Sequence, residues 1–308
     1  MSPRFEGGRA RPASPRFTII TASFNQGRFI EETIQSVLRQ GRDDIEHLVF
    51  DGGSTDETID ILRQYNDSLA YWVSAPDEGQ AAAWNAGVER ARGDVIGILN
   101  SDDLYLPGGL DRIAQLADAS SDANWLIGGT RYFGAGSGDY PGQVQKRASD
   151  VMYFVSYAPQ PGQFFRRRVF DQIGRFDESL RYAFDLDFWV RCALAGVRSA
   201  ATPDLVSAFR LHAASKTISE SSRMRAESDK VEARYWPEIA ARDGRHAWRV
   251  RSFYNGHHLL TSARDALTEG DRRKGWRLLA ATARDYPRML LTRAFAGTVQ
   301  RLLGLRWY

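Results

Sequence analysis

The chain has 308 residues, of which 43% are apolar and 26% charged, a globular composition that excludes intrinsic disorder of the whole chain. Its net charge of +3 combines +3 over residues 1–16, −9 over residues 17–244 and +9 over residues 245–308. A single cysteine, Cys192, excludes an internal disulfide, and no apolar run is long enough for a secretory signal or a bilayer span, so the sequence predicts a cytoplasmic protein.

The first part of the chain has the pattern of an α/β fold. Residues 1–16 are rich in Arg, Pro, Gly and Ser, lack apolar periodicity and are predicted to form a disordered leader. Strands are predicted at residues 17–23, 45–51, 69–74 and 94–100, with one helix between each pair. Apolar strands joined by single helices predict right-handed crossovers and a mainly parallel sheet.

The pattern is less regular after Pro107. Further strands are predicted at residues 124–133, 163–165 and 205–211, with a helix at about 185–195 and a mobile Gly-rich loop from Gly134. Beyond Ser219 the pattern is helical, with breaks predicted near Pro237, Gly256, Gly270 and Pro287.

Polar residues follow each of the first four predicted strands. They lie in the segments TASFN from Thr21, DGGSTDE from Asp51, SAPDEGQ from Ser74 and NSDD from Asn100. Because an open parallel sheet binds ligands at the carboxyl ends of its strands, these segments are predicted to form one site.

Two of these segments also have structural interpretations. Ser54 and Glu57 have the spacing of a capping box, and the glycines before Ser54 suit a turn. Asp102 and Asp103 could cap the helix predicted after Pro107. Either segment alone fits a structural role as well as a functional one, whereas the four segments together favour a ligand site.

The carboxylates in these segments indicate a cation and a diphosphate. Crowded carboxylates repel each other unless a cation compensates, and a hard divalent ion held by one or two of them commonly completes its shell with diphosphate oxygens. This predicts a nucleoside diphosphate ligand. The sequence contains no GxxxxGK[ST] motif and no GxGxxG motif after the first strand, which argues against P-loop NTPases and dinucleotide oxidoreductases.

Five segments between residues 18 and 217 occur in a characteristic order. They are TIITASFNQGRFIEETIQSVLRQ from Thr18, DGGSTDET from Asp51, PDEGQAAAWNAGVERARGDVIGILNSDD from Pro76, GQFFRRRVFDQIGRFDESLRYAFDLDFWVR from Gly162 and FRLHAASKT from Phe209. In these segments the chain resembles the inverting family 2 glycosyltransferases of the GT-A fold. The resemblance implies a GT-A catalytic domain over residues 17–218, between the leader at 1–16 and a helical region at 219–308.

The resemblance also implies a donor site. Asp51 would accept the N–H of the nucleobase in a pocket walled by Thr21, Ser23 and Asn25. Asp102 and His212 would bind a divalent cation, Mn²⁺ or Mg²⁺, although a lone histidine after an apolar strand is also an ordinary residue. The remaining implied donor-binding residues are Gly53, Ser54, Asp77, Gln80, Asn100, Ser101 and Asp103. The family's metal motif is usually Asp-x-Asp, and here its first position is Asn100, which neutralises no charge.

An inverting transfer needs a base, because the acceptor hydroxyl attacks the anomeric carbon opposite the leaving diphosphate and must lose its proton there. Asp185 matches the family's acidic position and is predicted to be this base. The alternative is that Asp185 only caps its helix. Asp187 lies two residues further and would point to a different face of that helix.

The resemblance places further contacts in two segments. Sugar and acceptor contacts are implied at Gln160, Gln163 and residues 166–168, although a run of arginines is also typical of a solvated face. Phosphate contacts are implied at Arg210 or Lys216.

The activity implied is transfer of one sugar from a nucleotide-sugar, with UDP as the carrier, to a saccharide or lipid-linked acceptor in surface polysaccharide assembly. A nucleotidyltransferase on a similar sheet is one alternative, but TASFNQG from Thr21 lacks the Gly-rich basic loop that holds a triphosphate. A nucleic-acid-binding module that uses the Arg-rich tail is another. The acidic body and the lack of a nucleic-acid motif disfavour it, so no nucleic acid partner is expected.

The basic tail, residues 245–308, alternates Arg with apolar residues. Leu291, Phe295, Val299 and Leu302 have the spacing of one helix face. This pattern fits a helical hairpin packed on the catalytic domain or an interfacial helix against anionic lipid. We predict packing together with peripheral contact at the inner face of the cell membrane.

Overall fold

A computed structural model describes residues 4–9, 11–134, 148–154, 159–268 and 270–303. These residues form two compact units. Unit 1 contains the described residues up to Met152 and those from 159 to Arg234, and unit 2 contains Tyr153, Phe154 and the described residues from Tyr235 onward. The Gly-rich loop predicted after Gly134 lies outside the described residues.

The strands of unit 1 form one sheet. They are β1 (Phe5–Gly7), β2 (Phe17–Ser23), β3 (Ile45–Asp51), β4 (Tyr71–Ser74), β5 (Val95–Ile98), β6 (Leu104–Tyr105), β7 (Trp125–Gly134), β8 (Gln163–Arg166) and β9 (Ser199–Leu211). Their order is β1-β4-β3-β2-β5-β8-β7-β9-β6. Neighbouring strands from β4 to β5 are parallel, and β8 is antiparallel to both β5 and β7. The predicted α/β fold with a mainly parallel sheet is confirmed.

The helices are α1 (Gly27–Leu38), α2 (Thr58–Gln64), α3 (Gln80–Arg90), α4 (Gly109–Ala119), α5 (Arg168–Ile173), α6 (Phe184–Leu194), α7 (Lys216–Ser219), α8 (Ser221–Asp243), α9 (Arg245–Thr268), α10 (Arg272–Asp285) and α11 (Arg293–Leu303). Short 3-10 helices lie at Ala148–Tyr153, Gln160–Gly162 and Pro287–Leu291. The predicted breaks at Pro237 and Gly256 are wrong, since α8 and α9 run through them. Gly256 instead allows close packing, because a Cβ there would lie 2.5 Å from Cγ of Met289.

β2 is buried along its whole length because helices cover both faces of the sheet. Ile19 packs in a cluster with Val37 of α1 and Leu110 of α4. Ile20 faces α3, where a Cβ on Gly87 would lie 2.4 Å from its Cγ2. Burial of each such side chain stabilises the fold by about 1.5–3 kcal/mol, which fixes the strand that leads into the candidate site.

Part of the predicted leader is an edge strand. β1 pairs antiparallel with β4, with Phe5 opposite Ser74, and Arg11 Nε donates to the Ala70 carbonyl at 3.0 Å. The structure therefore differs from the predicted disorder in this segment. A three-residue strand is too short to produce a detectable alternation of apolar and polar residues.

Unit 2 has a core of its own. Leu260, Leu279 and Met289 are buried together, and Phe295 and Val299 pack against them. Phe295 and Val299, which share a helix face with Leu291 in the predicted interfacial helix, therefore lie against this core. Leu291 itself is 90% exposed. In the part of the chain that the structure describes, no helix combines the length and apolarity needed to cross a bilayer.

Candidate functional site

The carboxyl ends of three parallel strands are level. Ser23 of β2 pairs with Asp51 of β3, and Asp51 pairs with Ser74 of β4. The polar segments that follow these strands are thus brought to one edge of the sheet, where ligands of such sheets bind.

A cleft of about 730 Å³ opens at this edge in unit 1. The predicted residues that line it are Ser23, Asp77, Gln80, Asn100, Ser101, Asp102, Gln160, Asp185 and Lys216. Its charged side chains are Asp77, Glu78, Asp102, Asp185 and Glu220 against Arg181 and Lys216. Because carboxylates outnumber the cationic groups, the cleft would repel a diphosphate unless a cation were bound with it.

Asp51 organises the turn after β3 from inside the protein. Its carboxylate accepts hydrogen bonds from the N–H groups of Gly53 at 3.2 Å and Ser54 at 2.8 Å, from Ser54 Oγ at 2.5 Å and from Ser74 Oγ at 2.6 Å. A contact between Asp51 and a nucleobase stays a prediction, and it would have to form in addition to these four bonds. The capping-box interpretation of Ser54 is wrong, since α2 begins at Thr58 and its N-cap Glu57 makes no side-chain capping bond.

Asn25 links the turn after β2 to the turn after β3. It is a non-glycine residue in the left-handed region, with φ of 51°, and its side-chain oxygen accepts the Thr55 N–H at 2.9 Å. Its own N–H donates to Ser54 Oγ at 2.7 Å. Asparagine adopts this region more readily than most non-glycine residues, and these bonds hold it there.

Asp77 is the carboxylate that faces the cleft on this side. A Cβ on Gly52 would lie 3.3 Å from Asp77 Oδ1 and 3.4 Å from the ring of Phe24, so Gly52 leaves space between these two side chains. Burial raises the pKa of Asp77, against the opposing hydrogen bond from the Gly79 N–H. Thr21, by contrast, is buried in the sheet, where its Oγ1 lies 2.9 Å from Nε2 of His47.

The segment from Asn100 to Asp103 is held by β9. The Arg210 N–H donates to Asp103 Oδ1 at 2.9 Å, and Arg210 Nε donates to the Asp102 carbonyl at 2.8 Å. Asp103 is buried, and burial together with the Asp102 charge raises its pKa well above the usual range. The structure excludes a capping role for this pair, because α4 begins at Gly109.

Asp102 and His212 present two metal-ligating atoms side by side. Asp102 Oδ2 lies 2.9 Å from His212 Nε2, and the Phe29 ring packs against the imidazole with its centroid at 4.7 Å. Two ligands at right angles, each about 2.1 Å from Mg²⁺, are about 3 Å apart, so this pair fits one divalent cation. Among the described residues no group of three or more His, Cys, Asp and Glu is arranged to hold a metal. A divalent cation bound by this pair would therefore need further ligands, such as diphosphate oxygens and water.

A row of hydrogen-bonded amides crosses the cleft. Lys216 Nζ donates to Gln80 Oε1 at 3.0 Å, and Gln80 Nε2 donates to Asn100 Oδ1 at 2.8 Å. Asn100 Nδ2 then donates to Gln160 Oε1 at 3.2 Å, and Gln160 Nε2 donates to the Ile98 carbonyl at 2.7 Å. Asn100, at the first position of the predicted metal motif, is thus a link in this row.

Asp185 lies in the first turn of α6 and lines the cleft. Burial raises its pKa to about 6, against hydrogen bonds from backbone N–H groups that include that of Leu186, and the charge of Glu227 raises it further. A carboxylate with this pKa is largely ionised at neutral pH and can still accept a proton there, as a general base requires.

Asp187 is turned away from Asp185. It is buried, and its two oxygens bind Arg191 Nε at 2.8 Å and Arg234 Nη1 at 3.0 Å. The expectation that the two aspartates face different sides of α6 agrees with this geometry.

Two other predicted contacts lie away from the cleft. Gln163 is buried and accepts a hydrogen bond from Trp125 Nε1 at 3.0 Å. Arg166 donates to Asp94 Oδ2 at 2.6 Å and to backbone carbonyls. Both are structural residues of β8, whereas Gln160, just before this strand, does line the cleft.

Several residues of the cleft were missed in the sequence. Trp84, Tyr182, Glu220 and Met224 line it, but they lie outside the segments that end the parallel strands. Helical periodicity identifies such residues only as members of a helix or its flank. Their common position depends on contacts between α3, α6 and α8, which no local pattern encodes.

Relatives of known family share this sequence pattern. A family model described as Glycosyl transferase family 2 matches residues 18–175. An uncharacterized glycosyltransferase of Mycobacterium tuberculosis (strain CDC 1551 / Oshkosh) is 33% identical over 190 residues, which cover 59% of this chain and 70% of that protein. A PGL/p-HBAD biosynthesis glycosyltransferase of Mycobacterium bovis (strain BCG / Pasteur 1173P2) is 30% identical over 189 residues, covering 58% and 70%.

Solved glycosyltransferases share the fold. Residues 1–349 of S. aureus TarS, in complex with UDP-GlcNAc, give a TM-score of 0.60 at 18% identity, covering 95% of this chain and 93% of that chain. The mannosyltransferase PcManGT from Pyrobaculum calidifontis, in complex with GDP-Man and Mn²⁺, gives 0.52 at 18% identity, covering 98% and 79%. With a family model that matches more than half of its residues and a relative matched over 70% of its length, the chain belongs to glycosyl transferase family 2.

Proposed function

We propose that this glycosyltransferase moves one sugar from a nucleoside diphosphate sugar to an acceptor hydroxyl with inversion at the anomeric carbon. The observation that carries the proposal is that Asp185 and Asp102, the latter paired with His212, line the same cleft. Membership of the family sets aside the nucleotidyltransferase and the nucleic-acid-binding module, the two alternatives from the sequence.

The donor proposed is a UDP-sugar. Asp77 and the exposed ring of Phe24 border the same space over Gly52 at the cleft. This arrangement suits a planar base with an N–H group, because the ring can stack while the carboxylate accepts the hydrogen bond. This assignment gives the N–H of the base to Asp77 and not to Asp51, the residue predicted from the sequence, while Asp51, Gly53 and Ser54 shape the turn beside the base. The UDP-GlcNAc bound to the TarS structure is consistent with a UDP donor.

Asp102 and His212 would hold the divalent cation, Mn²⁺ or Mg²⁺. When bound, it supplies the positive charge that the acidic cleft lacks and neutralises the diphosphate. Lys216 and Arg181, the cationic side chains of the cleft, would add to this neutralisation. The Mn²⁺ in the PcManGT structure supports the choice of metal.

Asp185 would act as the base. Its carboxylate takes the proton of the acceptor hydroxyl as the oxygen forms a bond to the anomeric carbon. The bond from that carbon to the diphosphate breaks at the same time, and its electron pair leaves with the nucleoside diphosphate. Because attack and departure are on opposite sides, the configuration inverts.

The acceptor proposed is a saccharide or a lipid-linked glycan of the kind used in surface polysaccharide assembly. Tyr182, Phe184 and Met224 give the cleft an apolar wall near Asp185, and such walls pack against the C–H faces of sugar rings. A relative named for PGL/p-HBAD biosynthesis adds support for a lipid-linked acceptor.

We also propose that unit 2 contacts the anionic inner face of the cell membrane. Its exposed large apolar side chains are Trp248, Phe253, Trp276, Leu290 and Leu291. Exposed arginines lie beside them in the sequence, at 245 and 249 around Trp248, at 273 and 277 around Trp276, and at 288 before the leucines. Aromatic side chains favour the membrane interface, and each basic residue near an anionic surface contributes about 1 kcal/mol.

The experiment that tests the transferase proposal has two steps. First, a thermal-shift screen of nucleotides and nucleotide-sugars with Mn²⁺ or Mg²⁺ should show stabilisation by UDP-sugars, because a ligand that binds only the native state raises the melting temperature. Second, the anomeric configuration of the product formed with a saccharide acceptor should be read by NMR. Retention of configuration, or stabilisation by no nucleotide, would overturn the proposal.

A further inference from the structure

Glu227 of α8 holds the segment that leads into α6. Its Oε1 accepts the N–H of Arg181 at 3.0 Å, and its Oε2 accepts those of Tyr182 at 2.5 Å and Ala183 at 2.7 Å. Three consecutive backbone N–H groups thus converge on one carboxylate that lies 44 residues or more away in the sequence. Charge-assisted bonds of this kind are about twice as strong as neutral ones.

This anchored segment is also a wall of the cleft. Arg181, Tyr182, Phe184 and Asp185 all line it. Ala183 is the N-cap of α6 and makes no side-chain capping bond. The position of the first turn of α6, and of Asp185 within it, therefore depends on a carboxylate supplied by another helix.

The same face of α8 makes a second attachment. Val231 is fully buried, and Arg234 binds Asp177 Oδ2 at 2.9 Å and Asp187 Oδ1 at 3.0 Å. Glu227, Val231 and Arg234 follow the i, i+4, i+7 spacing of one helix face. α8 thus binds α6 and its preceding segment at two points, and Glu227 is the point next to Asp185.

We propose that Glu227 is a positioning residue for Asp185. It acts through the three backbone N–H groups and does not touch substrate. The inference rests on the proposed role of Asp185 as the base. A further consequence is electrostatic, because the negative charge of Glu227 raises the pKa of Asp185.

The test compares Glu227→Gln with the wild-type chain and with Asp229→Asn. Gln keeps the volume, but it removes the charge and turns an NH₂ group toward a backbone N–H. Asp229 is exposed on the same helix and pairs with Arg225, so Asp229→Asn is the matched control and should behave as the wild type. The turnover number of E227Q should fall between about 10-fold and 100-fold, the range expected for a misplaced catalytic group, while the KM for the donor stays within about twofold.

The pH profile separates positioning from a general structural defect. Loss of the Glu227 charge should move the acidic inflexion of the rate to lower pH, whereas partial unfolding would lower the amount of active enzyme without moving it. The other charged side chains that line this cleft are Asp77, Glu78, Asp102, Arg181, Lys216 and Glu220. All of them are unchanged in E227Q, so a shift is attributable to residue 227.

A second variant covers the case in which E227Q does not fold. Glu227→Asp keeps the charge but withdraws the carboxylate, so it should lower turnover with the inflexion and the donor KM unchanged. Wild-type turnover in E227D, or wild-type turnover and pH profile in E227Q, overturns the inference. Asp185→Asn is measured in parallel: if D185N keeps its activity, the proposed base fails, whereas an inactive D185N beside an unaffected E227Q refutes only the role of Glu227.

Discussion

Asp185 and Asp187 lie two residues apart on α6 and have different surroundings. Asp185 lines the cleft, whereas Asp187 is buried between Arg191 and Arg234. One helix therefore carries the proposed base at the cleft and a second carboxylate that is buried in ion pairs, and variants can separate the two roles.

Asp185→Asn should lower the turnover number for transfer by about 10²-fold or more, the usual contribution of a positioned base. Asparagine has nearly the same volume, so donor binding should stay close to that of the wild type. Steady-state rates with a UDP-sugar and a saccharide acceptor, together with the donor KM, measure this.

Asp187→Asn should have the opposite effect. Its arginine partners lose a buried charge, so the free energy of unfolding should fall by about 1–3 kcal/mol, while turnover stays within about threefold. Urea unfolding measures the change in the free energy of unfolding, and the same kinetic assay measures the turnover number. An inactive D187N beside an active D185N would move the base by two residues, and two active variants would leave the inverting mechanism without a base.

The rate of transfer should fall on acidification through about pH 6. Asp185 must be ionised to accept a proton, and its pKa is raised to about 6, mainly by burial. kcat/KM for the acceptor should therefore lose about tenfold for each pH unit below the inflexion. A profile that stays flat down to pH 4.5, measured with stability controls at each pH, would contradict this assignment.

Ionised Asp185 should also destabilise the fold. Because its folded pKa lies above the unfolded value, the native state binds the proton more tightly, so stability contributed by this group is lost as the pH rises through about 4 to 6. D185N removes this penalty, so at pH 8 it should be more stable than the wild type by up to about 3 kcal/mol and should unfold at a higher temperature. At pH 4 the two should be alike. Calorimetry at both pH values checks the sign, and a D185N that is less stable at pH 8 would contradict it.

Asp102→Ala should abolish metal-dependent nucleotide binding without unfolding the chain. Its side chain lies at the cleft and not in the core, so its removal leaves no buried cavity. Isothermal titration with UDP and Mn²⁺ should show loss of binding, and His212→Ala should show a weaker effect in the same direction. Asp122→Ala, an exposed residue paired with Arg198, is the control, and undiminished binding by D102A would exclude this metal site.

Leu290→Asp combined with Leu291→Asp should weaken binding to vesicles that contain phosphatidylglycerol, since it adds two charges at an exposed apolar site. Sedimentation with these vesicles, compared with neutral phosphatidylcholine vesicles, measures the effect. Leu38→Asp alters an exposed leucine of unit 1 and should have no effect. If wild-type protein does not bind the anionic vesicles, or the double variant binds as well, the proposed membrane contact is wrong.

The parts of the fold that depend on a local pattern of residues could be predicted from the sequence. The central strands were predictable because β2 and β3 are short, mainly apolar segments that end in polar residues. Several of the polar residues that follow the parallel strands line the cleft. The structural roles that depend on contacts between distant parts of the chain could not be predicted from the sequence. The Asp51 carboxylate bonded to Ser74, the Glu227 carboxylate bonded to the segment before α6, and the three-residue β1 all depend on partners far away in the chain.

The hydrogen bonds in the row of amides across the cleft can run in only one donor-to-acceptor direction. Lys216 at one end can only donate and the Ile98 carbonyl at the other can only accept, so the orientations of Gln80, Asn100 and Gln160 between them are fixed from both ends. Reversing any one amide would set donor against donor and acceptor against acceptor. The dipoles of these side chains are therefore aligned before a ligand arrives, which is the preorganisation that lowers the cost of reorienting polar groups on binding.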